Sequence, residues 1–256
     1  MPLLADIAAG FADISLPQIV LVAAVALFAS VVGGVAGYGT GALMPLVLVP
    51  MVGAEPVVPI IAISALFSNT GRIAAFFRQV DVRRALIVIA GAALTCVLGA
   101  YGYSRLTGVG AALVIGTMLI LSVPLRRLAR RSELKLGDRG LAAGAAGFGL
   151  LVGGTAGSGV ILLTLLMSAG LQGAAVVATD AAISVVVGIV KVSVFGMAGA
   201  VTAQVIALGL LIGMIAFPGG FLAKMLVDRM PVHIHTAMLD AVVIVGGATM
   251  ILSAFR

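Results

Sequence analysis

The sequence contains one glycine-rich stretch twice, and this repeat limits what the chain can fold into. Residues 33–48 read GGVAGYGTGALMPLVL and residues 153–168 read GGTAGSGVILLTLLMS, so the same glycines recur after 120 residues. Each copy places helix-breaking glycines in the middle of strongly apolar sequence. Such a pair predicts two broken helices that face each other inside a lipid bilayer, an arrangement that secondary transporters use to hold a substrate.

The composition places the chain in a membrane. Hydrophobic residues make up 62% of it and charged residues only 9%, and the mean hydropathy is +1.29. A soluble domain could not solvate that much apolar surface, so we predict an all-α polytopic membrane protein. The apolar segments fall at 17–36, 38–54, 57–77, 84–104, 109–124, 140–155, 156–171, 173–195, 201–223 and 235–253.

The segments around the glycines are short for a bilayer, which takes about 20 apolar residues per helix. Each glycine pair could therefore form two spans or one re-entrant hairpin, and the total is 8–10 spans. In either case the pair returns the chain to the side from which it came.

The basic residues predict the orientation. The net charge is +6, and six of the fifteen basic residues lie in one loop between apolar segments: Arg126, Arg127, Arg130, Arg131, Lys135 and Arg139. Basic loops between spans face the cytoplasm, so we expect anionic lipids, and not nucleic acid, as the partner of this loop. The loop at 78–84 belongs on the same side, which puts the turn at Arg105 and the N-terminus outside.

The two halves come out with opposite orientation. In the second half the uncharged turn at 196–200 lies outside and the loop around Lys224 lies inside, the reverse of their counterparts in the first half. We therefore predict inverted repeats at 1–125 and 140–256, joined by a basic cytoplasmic linker at 126–139. Each repeat holds a glycine-broken helix pair or re-entrant hairpin followed by three membrane helices.

The glycine runs are the first candidate site. Glycines four or more residues apart, as over 140–149, are typical of close helix packing. A spacing of two does not form one helix face and favours unwound backbone, which frees N–H groups and directs the positive end of the next half-helix at the break. Two such ends near the membrane centre would suit an anion. The candidate binding residues are Gly37, Tyr38, Gly39, Thr40, Gly41, Thr155, Gly157, Ser158 and Gly159.

Polar residues on the helices after each glycine pair form the second candidate set. The pathway or coupling residues are Ser64, Ser68, Asn69, Arg72, Asp180, Ser184 and Lys191. Arg72 and Lys191 are nearly equivalent in the two halves, so they could attract an anion from either side, or only extend to the membrane surfaces as anchors. Asp180 could couple protons or pair with a buried cation.

An enzyme or a metal site is not expected. Ser158 lies between glycines, but no predicted span core contains a histidine to serve as its base. His233 and His235 are two residues apart and cannot share a helix face, so they do not form a metal site. No cofactor is predicted.

The doubled motif resembles the sulfite exporter TauE/SafE family of permeases. GGVAGYGTGALMP is similar to the family's signature in the first half and GGTAGSG to that in the second, although Leu165 stands where the first copy has Pro45. The resemblance implies a secondary transporter for sulfur-containing anions, such as sulfite, sulfoacetate or other alkylsulfonates, in the bacterial inner membrane. One branch of the family takes up arylsulfonates, and this chain is similar in size to that branch.

The hypothesis is an alternating-access anion transporter that could be proton-coupled. A passive anion channel, a transporter of carboxylates and a structural or receptor-like membrane subunit are the alternatives. A homodimer is plausible for such a bundle. The sequence leaves open the substrate, the direction of transport, the coupling ion and the form of the glycine segments.

Overall fold

The protein is a bundle of α-helices. The structure, a computed structural model, describes residues 7, 9–12, 14–36, 40–131, 135–227, 244 and 247–252, and no strand occurs among them. The helices are α1 (Leu16–Ala36), α2 (Thr40–Val52), α3 (Val57–Phe76), α4 (Val82–Ser104), α5 (Gly108–Arg131), α6 (Asp138–Gly154), α7 (Gly159–Ser168), α8 (Ala174–Met197), α9 (Ala203–Ala216) and α10 (Gly219–Val227), with a 3₁₀ turn at Phe77–Gln79.

Helix length and composition confirm the all-α membrane class. Five helical stretches are long and apolar enough to cross a bilayer: Val57–Gln79, Val82–Ser104, Gly108–Leu125, Ala174–Met197 and Ala203–Leu222. The chain is therefore a multi-pass membrane protein. By contrast, α2 and α7 are only about 20 and 15 Å long, against a hydrocarbon core of about 30 Å. Each glycine run is followed by a helix that reaches only part of the way across.

The helix boundaries differ from the prediction in two places. Helix α5 continues to Arg131, so the first part of the predicted linker is helical. The predicted span at 201–223 consists of α9 and α10, because Pro218 has no backbone N–H to continue the helical hydrogen bonds. Most of the predicted segment at 235–253 lies outside the described residues.

The second glycine run forms a helical hairpin. Helices α6 and α7 pack side by side, since Gly144 on α6 lies against Leu165 on α7. At the open end of the hairpin, the amide of Leu136 donates a 2.7 Å hydrogen bond to the carbonyl oxygen of Ser168. The chain therefore returns to the end of the bundle from which it started.

Helices α3 and α8 cross at the centre of the bundle and run antiparallel. Gly188 on α8 lies against Ala62 and Leu66 on α3, whereas Asp180, two turns earlier on α8, lies against Arg72, farther along α3. This register places Leu66 level with residues 186–188. Residue 186 is also the counterpart of Leu66 in the second half of the chain, at the offset of 120.

Close glycine contacts recur at equivalent places in the two halves. A Cβ on Gly99 of α4 would overlap the carbonyl oxygen of Leu150 on α6, and a Cβ on Gly219 of α10 would overlap the side chain of Ser30 on α1. Both members of the second pair are the counterparts of the first at the offset of 120. Exchanging the halves therefore exchanges the two packing sites, as a twofold relation between repeats would require. The inverted repeat itself stays a prediction.

The connections collect at two ends of the bundle. At what we call the Arg83 end, Arg83 at the start of α4 pairs with Asp138 at the start of α6, 2.5 Å apart. At the opposite end, which we call the Arg105 end, the Tyr103 hydroxyl donates to the carbonyl oxygen of Ala54, and its ring makes an edge contact with Phe195. The sequence assigns the first end to the cytoplasm, and this orientation stays a prediction.

Asp81 begins α4 at the Arg83 end. Its carboxylate accepts a 2.9 Å hydrogen bond from the backbone amide of Arg84, and the same carboxylate pairs with the Arg84 guanidinium. The amide hydrogen bond is the main cause that holds the pKa of Asp81 below its usual value, although partial burial opposes it. The amide of Asp81 donates to the Thr179 hydroxyl, which joins the start of α4 to α8.

Candidate functional site

A cavity of about 110 Å³ lies where the two glycine runs meet the crossing of α3 and α8. Its wall combines a half-helix from each repeat with one face of each crossing helix. The lining residues are Thr40, Gly41, Ile61, Ala65, Asn69, Arg72, Val152, Thr155, Ala156, Gly157, Ser158, Gly159, Asp180, Ser184, Val187, Gly188 and Lys191.

The starts of α2 and α7 come together at this cavity. A Cβ on Gly41, in the first turn of α2, would lie 3.1 Å from the backbone nitrogen of Gly157, just before α7. Gly157 has φ +83°, a conformation that favours glycine, and its left-handed turn lets the chain reverse between α6 and α7. The first amides of a helix have no partner one turn earlier within it, so both half-helices direct amide donors and their positive ends toward the cavity.

Hydroxyl groups accompany these helix ends. Thr40, Thr155 and Ser158 are all buried, and all three line the cavity. The first glycine run was predicted to be unwound, but its last two residues, Thr40 and Gly41, are helical because α2 begins at Thr40. In the second run, Gly157 and Ser158 are outside the helices and Gly159 is the first residue of α7. The predicted residues Gly37, Tyr38 and Gly39 lie outside the described residues.

Arg72 and Asp180 form an ion pair across the α3–α8 crossing. The distance from Arg72 Nη1 to Asp180 Oδ2 is 3.2 Å, and the two side chains are 14% and 3% exposed. Arg72 Nη2 also donates a short hydrogen bond to Asn69 Oδ1, one turn earlier on α3. Of the two alternatives for Arg72, the structure favours a group directed into the cavity over an anchor at the membrane surface.

Lys191 is the second cation of the cavity, and it is buried with an exposure of 6%. Its Nζ donates to the carbonyl oxygen of Thr155, in the break before α7, at a distance of 3.4 Å. No carboxylate among the described residues lies within salt-bridge distance of it. Lys191 lies three turns beyond Asp180 on α8, about 16 Å along the axis, so the two cations approach the cavity from opposite ends.

The predicted serines separate into two groups. Ser184 lines the cavity between Asp180 and Lys191. Ser64, one of the polar residues predicted on α3, does not line the cavity: it is buried, and its hydroxyl donates to the carbonyl oxygen of Ile61. Ser68 donates to the Ala65 carbonyl and borders a separate space of about 10 Å³, shared with Ser30 and Arg72, which has room for about one water molecule.

The sequence did not predict the apolar part of the wall or the role of one backbone oxygen. Ile61 and Ala65 continue the helical face of Asn69, and Val187 does the same beside Ser184. The helical spacing of these apolar residues can be read from the sequence. However, an apolar residue of a membrane helix gives no sign of whether it lines a cavity or packs against another helix. The Thr155 carbonyl, which accepts from Lys191, had no sequence signal beyond the position of Thr155 within the second glycine run.

The arrangement suits a small anion. With Arg72 and Asp180 paired, Lys191 leaves the wall with one uncompensated positive charge, and two helix N-termini add partial positive charge. A buried cation without a counter-ion is costly, and a bound anion would remove that cost. Among the described residues no group of three or more His, Cys, Asp or Glu side chains could hold a metal ion.

Comparison with known proteins identifies one family. The model of the family described as sulfite exporter TauE/SafE matches residues 22–250, most of the chain. Searches of curated proteins and of solved structures gave no match.

Proposed function

Since the chain belongs to the sulfite exporter TauE/SafE family, we propose that it is a secondary transporter that carries a small sulfur-containing anion across the bacterial inner membrane by alternating access. It is a transport protein rather than an enzyme. The observation that carries the proposal is Lys191: a buried ammonium group, without a carboxylate partner among the described residues, in a cavity where two half-helices begin.

The size of the cavity supports a small substrate. The cavity measures about 110 Å³, whereas sites for drug-sized ligands measure about 300–1,000 Å³. Sulfite or a short alkylsulfonate such as methanesulfonate is therefore the preferred substrate, and an arylsulfonate is disfavoured. Amide, hydroxyl and ammonium donors, such as Ser158 and Lys191 supply, match the several oxygens of a sulfite or sulfonate group.

The helix arrangement supports alternating access. Half-helices that meet at one cavity and long helices that cross antiparallel beside it are the parts that inverted-repeat transporters move around a central site. We place the N-terminus and the Arg105 end outside and the 126–139 linker inside. An impermeant maleimide should therefore label Arg105→Cys but not Lys135→Cys in intact cells, and the native Cys96 is buried. The reverse labelling would contradict the orientation.

The function is tested by flux into proteoliposomes that contain the purified protein. Unlabelled sulfite inside should drive saturable uptake of ³⁵S-sulfite, and methanesulfonate should compete with it better than toluenesulfonate. Lys191→Met should lose most of this exchange, whereas the matched control Lys135→Met, at an exposed lysine, should keep it.

Three outcomes would contradict the proposal. A current that grows linearly with voltage and does not saturate with sulfite would indicate a channel. Preferred competition by acetate would indicate a carboxylate transporter. Absence of any flux together with absence of a thermal shift by any of these anions would leave only a structural or receptor-like role.

A further inference from the structure

One polar atom of the cavity has no partner. Asp180 Oδ2 is paired with Arg72, but Asp180 Oδ1, which is fully buried, makes no hydrogen bond with any described residue. Half of the carboxylate is thus desolvated and unsatisfied, which costs free energy in a buried site. Protonation of the carboxyl group would remove the charge from this unsatisfied oxygen.

Asp180 also pairs with the Arg72 guanidinium, which is the group that an anion would bind. A guanidinium presents a planar fork of donors that fits two oxygens of an oxyanion. In Arg72, Nη2 is held by Asn69 and Nη1 is engaged by Asp180. While Asp180 is ionised, the N–H donors of Arg72 are therefore already paired, and the carboxylate of Asp180 repels an anion that approaches them.

We propose that Asp180 takes up one proton when the anion binds, and that this proton releases Arg72 to the anion. The proposal rests on the function proposed above, and it makes the protein a proton–anion cotransporter with Asp180 as the competitor of the substrate.

The charges in the cavity balance in this scheme. The proton binds the unpartnered Oδ1, the Arg72–Asp180 ion pair breaks, and Arg72 pairs with the anion in its place. Before binding, Arg72, Lys191 and Asp180 sum to one positive charge. With Asp180 neutral, two cations face the anion, so the two charges of a sulfite dianion are fully compensated. A methanesulfonate monoanion that binds together with one proton leaves the site with the same single positive charge as the empty protein. Release of the anion restores the ion pair and expels the proton.

Few other charged groups can contribute to this titration. Of the elements packed against α8, α3 contributes Arg72, and the 3₁₀ turn contributes Arg78, which is exposed and lies over the Phe77 ring. The start of α4 contributes Arg84 and Asp81, which are paired with each other. Asp138 on α6 is paired with Arg83 at the exposed Arg83 end. Among the described residues, Asp180 is thus the one carboxylate that lines the cavity.

The test measures the dissociation constants of methanesulfonate and sulfite for purified protein across a pH series. Uptake of one proton weakens binding by about tenfold for each pH unit above the pH at which Asp180 ionises. Methanesulfonate stays a monoanion throughout. For sulfite, the ratio of the constants of wild type and Asp180→Asn cancels the titration of the anion itself.

The variants give distinct expectations. Asp180→Asn should bind at least as tightly as wild type does at its acid limit, with no pH dependence for methanesulfonate, and in proteoliposomes it should exchange anions without moving protons. Asp138→Asn, which breaks an exposed aspartate–arginine pair, should keep the wild-type slope. If Asp180→Asn does not fold, wild type decides: binding of methanesulfonate must remove one proton per site from a weakly buffered solution.

The outcomes separate the two proposals. An equal pH slope in wild type and Asp180→Asn overturns the inference, as does binding without proton uptake. Loss of binding in folded Asp180→Asn overturns it too, because the carboxylate would then hold Arg72 in place for the anion. Binding of neither anion to wild type at any pH contradicts the proposed function instead.

Discussion

Replacing Lys191 with methionine should stabilise the empty protein while removing most of its affinity for the anion. Lys191 is 6% exposed, and its one hydrogen bond in the structure is a 3.4 Å contact with the Thr155 carbonyl. Methionine fills about the same volume with a flexible, uncharged chain. The change therefore removes a buried charge without opening a large cavity.

The magnitude follows from two opposing contributions. A lysine near the centre of a membrane helix costs about 2.5–3.5 kcal/mol on insertion scales. A hydrogen bond from a charged group returns about 1.5–3 kcal/mol, and a length of 3.4 Å places this bond near the low end. The net gain for Lys191→Met is about 1 kcal/mol, which corresponds to an increase of about 2–4 °C in the apparent Tm for a chain of this size.

The effect on binding has the opposite sign. A charge-assisted contact with the anion is worth about 1.5–3 kcal/mol, so its loss should weaken sulfite binding roughly 10- to 150-fold. The assay is thermal unfolding of detergent-solubilised protein with and without sulfite, with Lys191→Arg as the variant that keeps the charge. A Lys191→Met protein that melts lower than wild type and still binds sulfite normally would show that Lys191 is a structural residue, and the reasoning would be wrong.

Two further changes test the break and the cap of α4. Gly157→Ala forces an alanine to φ +83°, which should lower the free energy of unfolding by about 1–2 kcal/mol, reduce the Tm and slow anion exchange. The control Gly147→Ala, at a helical position with open space around it, should not lower the Tm. Equal Tm values for the two variants would contradict this. Because folding lowers the pKa of Asp81, its contribution to stability is present above its unfolded value of 3.8 and disappears as the pH falls through the lower folded value. Asp81→Asn should therefore flatten the decrease in Tm below pH 3.8, and an unchanged decrease would exclude this role.

Hydropathy and glycine spacing were sufficient to predict the class of fold and the place of the cavity. Both depend on local sequence: membrane helices need long apolar runs, and glycines two residues apart disfavour a continuous helix. The same local argument grouped Asp180, Ser184 and Lys191 on one face of α8, and these three residues line the cavity. It could not decide whether a glycine segment spans or re-enters, because that depends on the length of each half-helix, and α7, with 10 residues, is only about 15 Å long.

The face of α3 and the pairing of Arg72 required the tertiary structure. Periodicity groups Ser64 and Ser68 with Arg72, but the register with α8 turns Asn69 toward the cavity, and the long side chain of Arg72 reaches it from the neighbouring face. Asp180 is 108 residues away from Arg72 in sequence. Nothing local to either residue shows that they meet, because their contact depends on where two antiparallel helices cross.

The charged residues of the cavity are less symmetric between the two halves of the chain than the helices that form its wall. At the offset of 120, Asp180 corresponds to Ile60, Lys191 to Gly71 and Arg72 to Val192, so no charged group of the site has a charge at the strictly equivalent position of the other half.

Under the proposed alternating access the α3–α8 crossing would rock in both directions, but a proton can change the partner of Arg72 only where Arg72 meets Asp180, on the side of the crossing nearer the Arg83 end. Lys191, on the other side, keeps its charge available whichever way the cavity opens. An anion that enters from the Arg105 end thus meets a free cation first and reaches the proton-dependent pair second. Proton uptake should accordingly limit exchange at the Arg83 end more than at the Arg105 end, and flux through oriented proteoliposomes should respond more strongly to acidification at the Arg83 end. Equal sensitivity at the two ends would mean that the pair does not act as a one-sided control.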